Sequence, residues 1–261
     1  MINKYEISQA EDILNTVNIT QINGDTCYIL QTDDEIIAVQ MSENITIAGE
    51  NGIFLYSPII VKAQDDMRIA KEMIDYITKE TESLGIKLIC TETMTEQISA
   101  VYVQLGFKSA FSQHCFTREV RSNLWSTADF DTITANKLKE LRLKYIVCPY
   151  MDMEKDGYTR LMTRLYGLGA STAVTDNGYA IYFKDSSKIY IKEMFALNDA
   201  DGNYILQAIA NHDSRNNFIV DLAMASCMFR GEGISRNAGM YKYNGTKQID
   251  FNLVYNTVIE V

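Results

Sequence analysis

The stretch Ala100-Val101-Tyr102-Val103-Gln104-Leu105-Gly106-Phe107-Lys108 decides how the first half of this chain is read. Spacing of the apolar residues predicts a helix over 95–105. Gly106 ends it, because glycine reaches positive φ without a Cβ penalty. Phe107 then opens a strand that continues through Ser112-Gln113-His114-Cys115-Phe116-Thr117.

Upstream, residues 86–91 form a short apolar strand. Before it lies the strongest helical pattern, 65–84, with Ile69, Met73, Ile74, Ile77 and Leu84 marking one buried face. Asp65 and Asp66 complement its N-terminus, and Gly85 stops it. The apolar run Ile53-Phe54-Leu55-Tyr56-Ser57-Pro58-Ile59-Ile60-Val61 predicts a central strand with a bulge or an unpaired position at Pro58, which has no N–H to donate. Residues 27–31 and 35–41 alternate as a hairpin across Thr32-Asp33-Asp34, and Gly49-Glu50-Asn51-Gly52 is a second turn. Residues 7–17 predict a helix with Ser8 as N-cap.

Downstream, 121–131 is a polar connector with Trp125 as its anchor. Helices are expected over 134–147 and 155–167, and a hairpin over 179–184 and 188–197 across Asp185-Ser186-Ser187. A turn at 199–202 leads into a short helix over 203–211. Strands follow at 217–223, 238–243 and 249–258. Both halves run helix, hairpin, strand, helix, strand, strand pair, with no residue-level repeat. The reading is α/β (α+β), two halves over 1–122 and 130–261, each a mixed, mainly antiparallel sheet flanked by helices.

Composition narrows the function classes. The 261 residues are 47% hydrophobic and 22% charged, the balance of a folded globular chain. No apolar run reaches the ~20 residues that span a bilayer, and the first residues lack the basic and apolar regions of a signal peptide. A cytoplasmic protein is expected. A net charge of −10 without a basic block argues against nucleic acid and anionic membrane as partners and suits a cationic acceptor such as an amine. Five scattered cysteines (27, 90, 115, 148 and 227) have no metal-ligand spacing and read as reduced core residues, and two histidines leave little for a metal site.

The order of elements over 1–120, with Tyr102-x-x-x-Gly106-Phe107 in place after strand, helix and strand, resembles the GCN5-related N-acetyltransferase (GNAT) superfamily. The second half is similar to the degenerate acetyltransferase-like half of two-domain members, through 189–195, 238–242 and 250–254. The resemblance implies acetyl-CoA as acyl donor substrate. It implies that Tyr102 protonates the departing thiolate, a proton transfer that suits a phenol. It also implies that the strand end at Ile60 and Val61 and the segment Gln64, Asp66, Met67, Arg68, Ile69 and Ala70 hold the cofactor, with backbone N–H groups at a helix N-terminus cradling the pyrophosphate. The segment departs from the family's Gln/Arg-x-x-Gly-x-Gly/Ala pattern: Arg68 stands for a glycine, and Asp65 for Gln or Arg. Two carboxylates oppose a pyrophosphate there, and Arg68 offsets them by reaching a phosphate directly.

Other features read as structural. Gly231-Glu232-Gly233 between Arg230 and Arg236 lacks the strand-to-helix setting of a phosphate loop. Residues 137–144 read as a solvated helix face. Residues 198–203, with two acids and no base, read as a turn and cap. A base for the attacking amine has five candidates, Glu35, Glu50, Glu92, Glu96 and, if buried, Glu193. For Glu193 the alternative is a partner for a core tyrosine or lysine; for Tyr102 it is a core aromatic. The leading expectation is an acyl-CoA-dependent N-acyltransferase moving acetyl to a small-molecule or peptide amine by direct attack. The alternative is a non-catalytic binding module that kept the fold and lost the phosphate loop. Oligomeric state, homo-oligomers included, stays open.

Overall fold

Strand β1 (Ile2–Glu6) runs directly into helix α1 (Ile7–Thr16). Ser8, the expected N-cap, lies inside the helix. The Ile7 N–H donates instead to the Asp25 carbonyl at 2.9 Å, so a backbone group does the work of a side-chain cap. This computed structural model describes residues 1–19, 23–32, 35–62, 66–92, 95–226 and 228–258. The turn at Asp33-Asp34 lies outside them, between β2 (Thr26–Thr32) and β3 (Glu35–Ile47), which pair antiparallel.

The nine-residue apolar run splits. β4 (Glu50–Leu55) pairs antiparallel with β3, and a two-residue β5 (Ile59–Ile60) pairs with β3 at Ala38 and Val39. The break spans Pro58, as a residue without an N–H dictates. Helix α2 (Asp66–Ser83) then buries Ile69, Met73, Ile74 and Ile77, each burial worth roughly 1.5–3 kcal/mol. Leu84 is 61% exposed, because the helix has already ended and Thr81 fills the last inward position. β6 (Leu88–Glu92) pairs parallel with β4, and α3 (Glu96–Gln104) follows, capped by Thr95 Oγ1 accepting from the Ile98 N–H.

Both helices end on a glycine at positive φ, +76° at Gly85 and +89° at Gly106. Ile86 N–H donates to the Thr81 carbonyl (3.2 Å) and Phe107 N–H to the Tyr102 carbonyl (3.0 Å). These six-to-one bonds satisfy carbonyls that the helix ends would otherwise orphan.

After β7 (Lys108–Glu119) come α4 (Ala135–Tyr145), β8 (Asp152–Met153), α5 (Lys155–Gly167), β9 (Ser171–Thr175), β10 (Gly178–Lys184), β11 (Lys188–Ala196), α6 (Asp199–Asp213), β12 (Asn217–Ala223) and β13 (Ile234–Tyr243). Neither β8 nor β9 carries enough alternation to be seen in sequence. Residues 199–202 are not a turn but the first turn of α6: Asn198 Oδ1 accepts from the Ala200 and Asp201 N–H groups, and acids suit that end. The strand expected at 249–258 does not form. Phe251, Val254, Tyr255 and Val258 are buried, but at spacings of three, one and three rather than two, and only Tyr255 makes a bridge, to Tyr150. Trp125 is 87% exposed, so the indole anchors nothing. The connector is held by polar contacts of its backbone, with Asn123 Oδ1 accepting from the Trp125 N–H and Tyr204 donating to the Trp125 carbonyl.

The chain forms two compact units. One comprises Met1–Ala110, Met151–Arg160 and Asn237–Phe251; the other comprises Phe111–Tyr150, Leu161–Arg236 and Asn252–Val261. The sequence reading expects contiguous halves, whereas these units are interleaved. In the first, the sheet runs β1-β2-β3-β4-β6-β13, with residues 239–243 of β13 antiparallel to β6. In the second it runs β7-β12-β11-β10-β9, with residues 113–119 of β7 antiparallel to β12. Each sheet has one parallel pair among antiparallel ones: β4 with β6 across α2, and β11 with β12 across α6.

Candidate functional site

In the first unit, the parallel ladder of β4 and β6 ends at the pair Leu55↔Thr91. Beyond it the strands are joined by a side chain. The Ser57 N–H and hydroxyl both donate to Glu92 Oε1, at 2.8 and 2.5 Å. The departing strand turns onto β3, where the Tyr56 N–H donates to the Met41 carbonyl at 3.0 Å.

Tyr102, on α3, reaches this divergence from below. Gly106 and the Tyr102–Phe107 backbone bond fix the end of the helix, and Phe107 packs edge-on against the Tyr102 ring, centroids 4.8 Å apart. The tyrosine is fully buried among Ala38, Leu55, Met73 and Ile89. Its hydroxyl accepts a hydrogen bond from Gln40 Nε2 on β3 at 3.1 Å, and the same nitrogen donates to the Tyr56 carbonyl at 3.0 Å. Burial pushes the Tyr102 phenol well above its ordinary pKa, with Thr91 and Gln40 pulling the other way and the Glu92 carboxylate adding to the rise. The phenol is therefore neutral and holds its proton at any physiological pH.

Gln40 was not singled out by sequence. It sits in an otherwise apolar alternation, Ala38-Val39-Gln40-Met41, where one polar residue passes for solvent-facing. A polar residue on the same strand face as core-facing Ala38 was the available signal.

Of the residues expected to hold a cofactor, Gln64 lies outside the described residues. Ile60 is half-buried in β5, and the Val61 N–H is taken by the Ile37 carbonyl at 2.8 Å. Asp66 and Arg68 are exposed at the start of α2, where Arg68 Nη1 stands 3.7 Å from Glu72. Met67 is half-buried, and Ile69 and Ala70 point into the core, so only their backbones are open to a ligand. The first-turn N–H groups and Arg68 suit a pyrophosphate, and the Asp66 carboxylate opposes one.

The acidic candidates separate. Glu35 pairs with Lys62 and Glu50 with Lys247, both at 2.9 Å, and Glu96 is exposed in the first turn of α3. Only Glu92 stands at the strand divergence beside Tyr102. In the second unit, Glu193 is fully buried with Arg142, Tyr179 and Tyr255 as partners. It is thus a partner of core tyrosines. Arg142, fully buried, departs from the solvated face expected over 137–144.

The equivalent parallel pair in the second unit offers no anion site. The start of α6 is filled by Asn198, and Asp199 Oδ1 accepts from the Phe229 N–H at 2.6 Å. Burial pushes the thiols of Cys27 and Cys115 up to about 12, and Cys90 well above its usual value. Thiolate nucleophiles are therefore not on offer at these positions. Among the described residues, no helix is long and apolar enough to cross a membrane.

No family profile matches the sequence, and no curated protein matches it. Solved structures do. The GCN5-related N-acetyltransferase from Kribbella flavida aligns over 93% of this chain and 71% of its own, at 9% identity and a TM-score of 0.64. Eis1 from Mycobacterium abscessus aligns over 93% and 73%, at 10% identity and 0.61. A tandem GNAT protein from the clavulanic acid biosynthesis pathway aligns over 95% and 99%, at 8% identity and 0.52. At such identities the likeness is one of architecture, and the architecture of this chain is the GCN5-related N-acetyltransferase fold in its two-domain form.

Proposed function

We propose that the first unit is an acyl-CoA-dependent N-acyltransferase, with acetyl-CoA as donor and a small-molecule or peptide amine as acceptor. The observation that carries this reading is the Tyr102 hydroxyl, held under the divergence of β4 and β6 with its proton intact. The amine nitrogen attacks the thioester carbonyl, the C–S bond breaks with its electron pair on sulfur, and Tyr102 supplies the proton that makes the thiol. Glu92 stands at the same strand divergence and takes the proton the amine gives up, directly or through water. The first turn of α2 and Arg68 hold the pyrophosphate. Positioning donor and amine together supplies much of the rate.

A second reading, a binding module without turnover, is favoured by the closed state of the divergence. The Glu92 carboxylate occupies the Ser57 donors, and Asp66 stands where a phosphate would approach.

Calorimetric titration with acetyl-CoA separates the two. Dissociation in the micromolar range, about −8 kcal/mol, that is lost with a phosphate-free analogue supports the first reading. No heat at millimolar ligand puts the second in its place. With an acceptor in hand, Tyr102→Phe is expected to lower kcat about 100-fold, the lower end of general-acid contributions, with little change in acetyl-CoA affinity. An unchanged kcat removes Tyr102 from the chemistry.

A further inference from the structure

We infer that Gln40 is a positioning residue for Tyr102: its carboxamide fixes the phenol as a one-way donor and stabilises the phenolate left after proton transfer. The inference rests on the acyltransferase reading for its purpose, but its physical content stands on the geometry alone.

Gln40 is fully buried in the middle of β3. An uncharged amide placed in a core costs free energy unless it is hydrogen-bonded, and apolar packing alone would favour leucine or methionine. Its two N–H bonds are both used, one to the Tyr56 carbonyl at 3.0 Å and one to Tyr102 Oη at 3.1 Å, while its Oε1 is buried without a hydrogen-bond partner among the described residues, a cost that apolar packing does not repay. The Tyr56 carbonyl can only accept, so it decides which end of the carboxamide carries nitrogen. The orientation follows from a backbone group and not from the tyrosine. Gln40 therefore presents a donor to Tyr102 Oη whatever the state of the phenol. The phenol answers with a lone pair, and its own proton is directed elsewhere. The Phe107 edge contact holds the ring in place meanwhile.

An N–H bond to a phenolate is stronger than one to a phenol, because the acceptor carries charge. Gln40 thus favours the deprotonated form, second to Thr91 in that sense, in opposition to burial and to the Glu92 carboxylate. In the proposed reaction, the sulfur leaves with the C–S electron pair and takes the Tyr102 proton. The proton that the attacking nitrogen gives up to Glu92 then passes through solvent to the phenolate bonded to Gln40. Atoms and charge balance: thioester and amine become amide and thiol.

The test places a trifluorotyrosine at position 102 of the full chain and follows its ¹⁹F shift with pH, since fluorination brings the titration into a range that folded proteins tolerate. Gln40→Leu is expected to raise the phenol pKa by about one unit, roughly tenfold in acidity. Gln40→Glu, which exchanges the donor for a charged acceptor, is expected to raise it further. Gln40→Met is the fallback should the leucine variant not fold. A filler role predicts the same pKa in the wild type and the Leu or Met variant, and that result overturns the inference. The titration needs no turnover, so a protein that never transfers an acyl group sinks the function and leaves the Gln40–Tyr102 coupling to be judged by itself. In an active protein, Gln40→Leu is expected to lower kcat about tenfold at unchanged KM for acetyl-CoA, and to add nothing to Tyr102→Phe.

Discussion

Glu193→Ala is expected to reduce the unfolding free energy by about 3–5 kcal/mol, the cost of leaving one member of a buried ion pair uncompensated. Both Glu193 and Arg142 have side chains with no solvent exposure. Glu193 Oε1 accepts from Arg142 Nε (3.1 Å) and the Tyr179 hydroxyl (2.6 Å), and Oε2 accepts from Arg142 Nη2 (2.7 Å) and the Tyr255 hydroxyl (2.8 Å). Arg142 Nη2 also donates to the Thr257 carbonyl at 3.0 Å. Burial first, and the adjacent carboxylate after it, push both tyrosines well above the usual phenol range, so they remain neutral donors. Removing the carboxylate strands a guanidinium that cannot shed its charge and two hydroxyls without an acceptor. Urea unfolding of the full chain reads the loss. Glu193→Leu combined with Arg142→Met is expected to cost less than Glu193→Ala alone, because no charge is then left in the core. A loss below about 1 kcal/mol for the single variant would show that water reaches the pair.

Neither 1–122 nor 130–261 is expected to fold when produced alone. The first fragment lacks β13, whose residues 239–243 complete the sheet along β6. That leaves an apolar central strand, Leu88–Glu92, as an open edge, the arrangement that leads to aggregation. The second lacks β7, which pairs with β12 from Asn217 to Ala223. Circular dichroism and size-exclusion chromatography of each fragment decide the matter. A monomeric fragment with a cooperative thermal transition would show that the missing strand is dispensable.

Helices α2 and α3 of the first unit were legible because their determinants are local. Ile69, Met73, Ile74 and Ile77 recur at helical spacing, and Gly85 and Gly106 terminate at a fixed offset. The Tyr102-to-Phe107 segment carried the fold for the same reason. What was illegible depends on partners far along the chain. Arg142 looks like any cation on an exposed helix until Glu193 comes to lie beneath it. Gln40 acquires meaning only when α3 brings Tyr102 over β3. Trp125 misled because aromatic bulk usually implies burial, and the apolar tail near Tyr255 misled because hydrophobicity without alternation does not specify a strand. Strand crossing between the halves 1–122 and 130–261 is the extreme case, since nothing in β6 itself says which later segment will pair with it.

That crossing sets a timetable for the protein as it is made. Glu92 leaves the ribosome long before its partner Gly239. At ~5–20 residues per second the interval is on the order of ten seconds. Throughout it, the N-terminal unit waits with one sheet edge unclosed, while chaperones have their widest opportunity to act. Tyr102 shares its core with Met240 of that late strand, so this part of the core closes only once β13 has emerged.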